Sequence, residues 1–304
     1  MRAVVVGYGS IGQRHARLLQ AMNVETAVVS GRDIDFPIVF HHLKEAVEQF
    51  APNYIIIANK SSEHHSTLLQ LIEYHWKGTV LVEKPLYHEE KTLPNDHGLR
   101  IFVAYNLRFH PLLLKLRSAL KNERLLSITA YAGQYLPTWR LQRDYQLSYS
   151  ARKEEGGGVL RDLSHELDYL NWLCAGWVRL SALGGQVSSL EITSEDTCGI
   201  LMEMRECPLV TLQMNYLDRP GRRELLILTD RHTFKIDFSK RLFIQDNHSE
   251  VITVDRDETY IAQHTAIMNQ QWDRLCSLQE GQDIVRMIDA VERSILNREW
   301  VMNE

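Results

Sequence analysis

Cysteine is scarce and scattered: Cys174, Cys198, Cys207 and Cys276 are four among 304 residues, and no two form a CxxC pair. That spacing excludes a disulfide framework and a structural zinc site, so reduced, mostly buried thiols and no metal are expected. Long apolar runs are missing too. No stretch approaches the ~20 residues that span a bilayer, and the opening MRAVVVGYGS enters a strand and turn without a signal-peptide layout. A cytoplasmic protein is the expectation. Excess positive charge is absent: 34 Lys and Arg face 39 Asp and Glu, the formal net charge is −5 with 13 histidines neutral, and basic residues form no runs. This speaks against nucleic-acid and membrane partners and for a small molecule. Repeats and low-complexity segments are also lacking.

What is present is an ordinary globular composition, 44% hydrophobic and 24% charged. The chain exceeds the ~250 residues beyond which single cores rarely grow, which predicts two domains. Short β-branched runs (Arg2 to Val6, Thr26 to Ser30, Tyr54 to Ala58, Thr79 to Val82, Ile101 to Tyr105) alternate with helical patterns at Ile11 to Ala21, Leu43 to Phe50 and Ser66 to Tyr74. That is the rhythm of a parallel sheet with crossover helices. After a helical stretch to about Lys121 the rhythm changes: one strong helix from Gly158 to Leu173, then closely spaced strands from Arg179 to Ile244, which predict antiparallel pairing. Two helices, about His264 to Gln279 and Gln282 to Asn297, close the chain. The expected fold is α/β: a Rossmann-type parallel sheet over residues 1–120, then an α+β domain with a mostly antiparallel sheet over 121–304.

The first strand ends in Gly7-Tyr8-Gly9-Ser10-Ile11-Gly12, a GxGxxG at a strand-to-helix turn, where a dinucleotide fingerprint requires it. Gly7 permits the turn, Gly9 lets the amides of Ser10 and Ile11 approach a pyrophosphate, and Gly12 lets helix pack on strand with its dipole toward the phosphates. About 20 residues further on stands Ser30-Gly31-Arg32-Asp33. Ser30 and Arg32 suit the 2′-phosphate of NADP, which is favoured; Asp33 is the alternative, the acid of an NAD enzyme.

Val82-Glu83-Lys84-Pro85-Leu86 follows the strand Thr79 to Val82 and puts a lysine at the carboxyl edge of the sheet, where open α/β folds bind ligands. A partly desolvated lysine there can hydrogen-bond a hydroxyl next to a carbon that exchanges hydride; a solvated strand-end lysine is the plain alternative. Gly156-Gly157-Gly158 precedes the strong helix, on which Leu160, Leu163, Leu167 and Leu170 share one stripe. Asp162, His165, Glu166 and Tyr169 gather opposite, so Asp162 and His165 form a candidate proton-transfer pair.

Four blocks together resemble the glucose-fructose oxidoreductase and inositol dehydrogenase family, Gfo/Idh/MocA. They are GYGSIGQRHARLL at 7–19, ANKSSEHH at 58–65, VEKPL at 82–86 with AYNLRFHP at 104–111, and GGGVLRDLSHELDYLNWL at 156–173. The resemblance implies an NAD(P)-dependent dehydrogenase or reductase that acts on a secondary alcohol or ketone of a sugar or cyclitol. By it, Lys84 is the catalytic lysine, His165 the proton relay, Asp162 the aspartate that orients substrate, and His64 the histidine beside the nicotinamide. Asn59, Glu83, Asn106 and Arg108 fall in stretches that line the cofactor. Two departures stand out: Asp162 and His165 are three residues apart where the family has four, with Glu166 at the fourth place, and Pro85 to Ile101 is shorter than the usual crossover helix.

The segment 134–153, QYLPTWRLQRDYQLSYSARK, is dense in tyrosine and arginine. Tyr135 and Tyr149 offer faces for a sugar or base, while Arg140, Arg143 and Arg152 offer charge for phosphate or carboxylate; an ordered packing loop is the alternative. It resembles members that act on sugars destined for bacterial surface polysaccharides, which implies a nucleotide-linked or acidic sugar. The competing readings are a non-catalytic dinucleotide sensor and a reductase of a non-sugar substrate on the same fold; retention of Lys84 and His165 speaks against the sensor. The resemblance also implies a homodimer or homotetramer built on the open sheet.

Overall fold

A computed structural model describes residues 1–94, 98–139 and 144–303. The chain divides into two compact units: Met1–Asn106 with Asp257–Val285, and Leu107–Arg256 with Arg286–Glu304. The sequence places a single boundary near residue 120, whereas the chain returns to the first unit after residue 256 and the first long run ends at Asn106.

The first unit is built on β1 (Arg2–Val6), β2 (Glu25–Val29), β3 (Val39–Phe40), β4 (Tyr54–Ile57), β5 (Thr79–Val82) and β6 (Arg100–Val103). Its order is β6-β5-β4-β1-β2-β3, all parallel. Both faces of such a sheet are covered, which is why Ala3 to Val6 and Tyr54 to Ile57 read as continuous apolar runs and are buried throughout. Helix α1 (Ser10–Ala21) buries Gly12, His15, Ala16, Leu18 and Leu19, and Asn23 in the left-handed region (φ 58°) turns the chain into β2. α2 (Leu43–Glu45) runs into a π turn over Ala46–Phe50, and α3 (His64–Glu73) connects β4 to β5. Between β5 and β6 the described residues form no helix, as the Pro94 and Gly98 punctuation predicts; Asn95 and Asp96 lie outside the described residues.

The second unit begins with α4 (Pro111–Ala119), started by Pro111 behind a His110 cap, and β7 (Leu125–Gly133). Two short helices follow, α5 (Val159–Asp162) and α6 (His165–Leu173). The strands β8 (Trp177–Gly185), β9 (Thr197–Met204), β10 (Val210–Asn215), β11 (Arg222–Thr229), β12 (Thr233–Asp237), β13 (Leu242–Gln245) and β14 (His248–Val251) come next. Back in the first unit, α7 (Glu258–Met268) replaces the helix expected from His264 to Gln279. Gln270 at φ 56° ends the turn beyond it, and β15 (Cys276–Ser277) pairs antiparallel with β6. Helix α8 (Leu278–Asn297) and β16 (Val301–Met302) close the chain.

The second sheet runs β14-β13-β12-β11-β7-β10-β9-β8-β16. Its pairings are antiparallel except β7 with β10, so the expectation of an antiparallel sheet from 179 onward holds with one parallel pair contributed by β7. Alternation sorts its faces: β9 buries Cys198, Ile200, Met202 and Met204 and turns Gly199 and Leu201 outward. All four cysteines are buried and reduced. Among the described residues no helix is long and apolar enough to cross a membrane, and no cluster of His, Cys, Asp or Glu is placed to hold a metal ion.

Candidate active site

Five parallel strands of the first unit end at one edge, and each delivers residues singled out by sequence. β1 delivers the glycine turn. Gly7 has φ +94°, and a Cβ there would lie 2.7 Å from the Asn59 amide nitrogen; one on Gly12 would lie 2.1 Å from the Gly7 carbonyl oxygen. Gly9 is different, because nothing lies within 4 Å of the Cβ it lacks. It is also the N-cap of α1, with no side-chain cap and no acidic residue in the first turn. The amides of Ser10, Ile11 and Gly12 therefore open a positive helix end onto free space, which fits an anionic pyrophosphate.

β2 delivers Ser30, which is buried, its Oγ accepting the Arg32 amide at 3.1 Å. The Arg32 guanidinium donates to the Tyr8 carbonyl at 3.1 Å, so this cation lies against the glycine turn; Asp33 is exposed. β4 delivers Asn59 and, at the start of α3, His64. Thr67 gives its proton to Glu63, so Asn59 must donate to Thr67 through Nδ2 (3.0 Å), which leaves Asn59 Oδ1 buried without a hydrogen-bond partner. His64 Nδ1 faces the carbonyls of Pro85 (3.2 Å) and Leu86 (3.1 Å) and so carries the proton, while Nε2, an acceptor, is buried without a partner. Burial pushes the His64 imidazole below its ordinary value and keeps it neutral. Two orphaned acceptors in one loop fit a ligand that brings N–H donors, as a carboxamide does.

β5 delivers Glu83, buried, and Lys84, half-buried, with the Glu83 carboxylate accepting the Lys84 amide at 3.2 Å. β6 is followed by Asn106, buried, whose Nδ2 donates to Thr259 Oγ1 at 2.7 Å.

In the second unit two of the three glycines have steric reasons, and Gly156 has a conformational one, φ +80°. A Cβ on Gly157 would lie 2.0 Å from the Tyr149 carbonyl oxygen, and Gly158 has φ +122° with a Cβ position 2.2 Å from Glu195 Oε1. Glu195 replaces a conventional cap: its Oε1 accepts the Leu160 amide (3.1 Å) and its carbonyl the Val159 amide (3.1 Å). Burial raises its carboxyl above the usual range. The expected continuous helix from Gly158 to Leu173 is instead α5 and α6, broken at Leu163 and Ser164, and the expected polar face is not solvated. Asp162, Glu166, Asp168 and Tyr169 are all buried because helices and sheet surround them. Asp162 accepts the Tyr216 hydroxyl at 2.7 Å, which together with burial holds that phenol protonated. Glu166 pairs with Arg223 at 2.7 Å. His165, the first residue of α6, is half-buried. Arg108 is 1% exposed and binds the Asp168 carboxylate through both Nε and Nη2 (3.0 and 2.7 Å), so its charge is committed inside the unit.

Arg219 stacks over the Tyr135 ring at 4.5 Å, Tyr149 is exposed, and Arg152 pairs with Glu155 at 2.8 Å. Arg140 and Arg143 lie outside the described residues. Sequence reasoning missed Glu195 and Tyr216, since neither stands in a motif. It also missed His264 and Tyr54, which with His15 form a buried chain to Glu83.

These features define a dinucleotide-binding unit followed by an α+β unit. The profile of the "Oxidoreductase family, NAD-binding Rossmann fold" matches residues 1–93 and that of the "GFO/IDH/MocA C-terminal domain" residues 113–240. The chain belongs to the Gfo/Idh/MocA family, an NAD-binding oxidoreductase family. Comparison with curated protein sequences finds no match. Among solved structures it is similar to GenD2 from gentamicin A biosynthesis in complex with NAD, with TM-score 0.83, 17% identity and coverage of 100% of this chain and 96% of that one. It is also similar to the WlbA dehydrogenase of Bordetella pertussis in complex with NADH and UDP-GlcNAcA (0.80, 16%, 100% and 98%). A third is a levoglucosan dehydrogenase in complex with NADH (0.84, 14%, 99% and 98%). At such identities the likeness establishes the shared fold.

Proposed function

We propose that the protein is a dehydrogenase or reductase that moves hydride between a nicotinamide dinucleotide and the secondary alcohol or ketone of a sugar or nucleotide-linked sugar. The observation that carries this reading is the edge of the first sheet. There the uncapped start of α1 opens at Gly9, two orphaned acceptors stand at Asn59 Oδ1 and His64 Nε2, and His64 is fastened to the carbonyls just after Lys84. The dinucleotide supplies the hydride acceptor or donor. The amides of Ser10 to Gly12 hold its pyrophosphate, and Asn59 and His64 accept from its carboxamide.

Lys84 donates a hydrogen bond to the substrate oxygen and His165 relays that oxygen's proton, with Asp162, fixed by Tyr216, orienting the substrate. Tyr135, Tyr149, Arg140 and Arg152 supply stacking and charge toward a phosphate or carboxylate, which supports a nucleotide-linked or acidic sugar and a place in surface-polysaccharide synthesis. Ser30 and Arg32 support NADP: the guanidinium held at the Tyr8 carbonyl, beside the glycine turn, offers a cation for a 2′-phosphate. A homodimer or homotetramer is supported by the outward face of the second sheet, where Leu201, Leu226 and Leu228 are 38–39% exposed and Leu183 77%.

The test is a fluorescence titration with NADPH and NADH, followed by turnover assays on keto-sugars and nucleotide-linked sugars. Wild type should prefer NADPH, and Arg32→Ala should lose that preference by roughly tenfold or more, the worth of a charged hydrogen bond. Absence of binding by either nucleotide rejects the reading.

A further inference from the structure

Four side chains of the first unit form a continuous buried chain of hydrogen bonds that the proposed reaction does not use. The Tyr54 hydroxyl lies 2.9 Å from His264 Nδ1, His264 Nε2 lies 2.9 Å from His15 Nδ1, and His15 Nε2 lies 2.8 Å from Glu83 Oε1. Tyr54, His15 and His264 are 0% exposed and Glu83 is 8% exposed. Glu83 Oε2 accepts the main-chain amide of Lys84 at 3.2 Å. The members come from β4, α7, α1 and the segment after β5, so the chain joins four elements.

The chemistry of the groups fixes its direction. A carboxylate accepts, so His15 donates Nε2–H to Glu83, and Nδ1 of that neutral imidazole must then accept. His264 therefore donates from Nε2, which leaves its Nδ1 to accept the Tyr54 O–H. One proton per link satisfies every atom. Reversing the central link would protonate both nitrogens of His15, set both nitrogens of His264 the other way, and leave the Tyr54 proton without an acceptor in the chain. Burial, with the neighbouring His15, holds His264 well below the ordinary imidazole range, and burial, with the Glu83 charge, holds Tyr54 well above the ordinary phenol range, so both stay neutral within the chain. The Tyr260 ring stands edge-on to His15 at 5.7 Å and carries the Arg14 guanidinium on its face, so Tyr260 screens the chain from that cation.

We infer that Tyr54, His264 and His15 are positioning residues: a directional hydrogen-bond chain that holds the Glu83 carboxylate against the Lys84 peptide and ties it to the helix of the glycine turn. His15 stands on α1, three to eight residues from the turn glycines, and bonds the carboxylate next to Lys84. The placement of the lysine loop and of the dinucleotide helix thus share one imidazole. For its kinetic consequence, though not for the chain itself, the inference rests on the oxidoreductase reading above.

The first test is nitrogen-15 histidine NMR on the full-length protein at neutral pH. His15 and His264, identified by the signals lost in His15→Gln and His264→Gln, should both be neutral Nε2–H tautomers. Tyr54→Phe should shift the His264 Nδ1 resonance. An Nδ1–H tautomer or an imidazolium at either position overturns the inference, and this measurement needs no active enzyme. The second test is kinetic: Tyr54→Phe should lower kcat roughly two- to tenfold, the range of one hydrogen bond, with KM and nucleotide affinity unchanged. Wild-type kcat in a Tyr54→Phe protein whose histidine signals have shifted overturns the positioning role. Failure of the wild type to turn over any sugar refutes the substrate reading, and the tautomers still decide the chain.

Discussion

Gly9 and Gly12 belong to one motif, and the structure assigns them opposite reasons, which a pair of alanine substitutions separates. The Cβ added by Gly12→Ala would lie 2.1 Å from the Gly7 carbonyl oxygen, a backbone atom that has no rotamer to yield. α1 must then lift from β1, and the overpacking cost is about 2–3 kcal/mol. At ~2–4 °C per kcal/mol for a domain of 150–250 residues, the melting temperature should fall by roughly 5–10 °C. Gly9→Ala meets nothing within 4 Å and has ordinary backbone angles, φ −78° and ψ −170°. Only its N-cap preference suffers, at under ~1 kcal/mol. The methyl enters the space assigned to the pyrophosphate and displaces bonds to a charged group worth ~1.5–3 kcal/mol, so nucleotide affinity should drop about 10- to 100-fold. Thermal denaturation without ligand and a fluorescence titration read both variants. A Gly9→Ala protein that binds nucleotide as wild type does, or a Gly12→Ala protein with unchanged melting temperature, refutes the reasoning.

Stability should fall as pH drops below 6.5. Burial depresses His264 and His64, and burial with the Arg223 charge depresses His110 to about 4. The unfolded chain then takes up protons from about pH 6.5 downward while the folded one does not, so stability present above 6.5 is lost on acidification toward 4. Urea midpoints at pH 7 and 5 check this, and a flat or rising midpoint on acidification contradicts it. The outward leucines predict self-association: light scattering should show more than the 35 kDa chain, and Leu201→Lys should shift the mass toward it.

Local signals carried much of the fold. Val4, Val5 and Val6 followed by three glycines state strand, turn and helix within eleven residues, and Thr79 to Val82 is a strand with the predicted bounds. β7 escaped because Ala130, Ala132 and Gly133 dilute its alternation, and its partners β10 and β11 lie roughly 80 and 95 residues away in sequence. The glycine turn, Asn59, His64, Lys84 and Asn106 were legible because strand ends of a parallel sheet converge whatever the sequence between them. The Glu195 cap and the Tyr216 to Asp162 bond were not, since each is set by tertiary placement of residues more than 30 positions apart. The chain through His15 escaped for the same reason: among 13 histidines, nothing local marks the two that meet.

The break between α5 and α6 gives His165 and Glu166 different surroundings. In a continuous helix, positions three and four beyond Asp162 would share a side, and His165 and Glu166 would compete for one role. With the helix interrupted at Leu163 and Ser164, His165 begins α6 half-buried, while Glu166 is 0% exposed and bonded to Arg223 at 2.7 Å. Under the proposed reaction only His165 is placed to exchange a proton with a ligand, and Glu166 neutralises an arginine on β11. His165→Ala should therefore lower kcat about 100-fold or more, the range of a lost general acid–base group, with little change in melting temperature. Glu166→Gln should do the reverse. It strips Arg223 of its partner and costs on the order of 1–3 kcal/mol, below the full cost of a buried pair because Arg223 is 29% exposed. A Glu166→Gln enzyme that stays fully stable but loses the acid–base limb of its pH–rate profile would move the proton relay to Glu166.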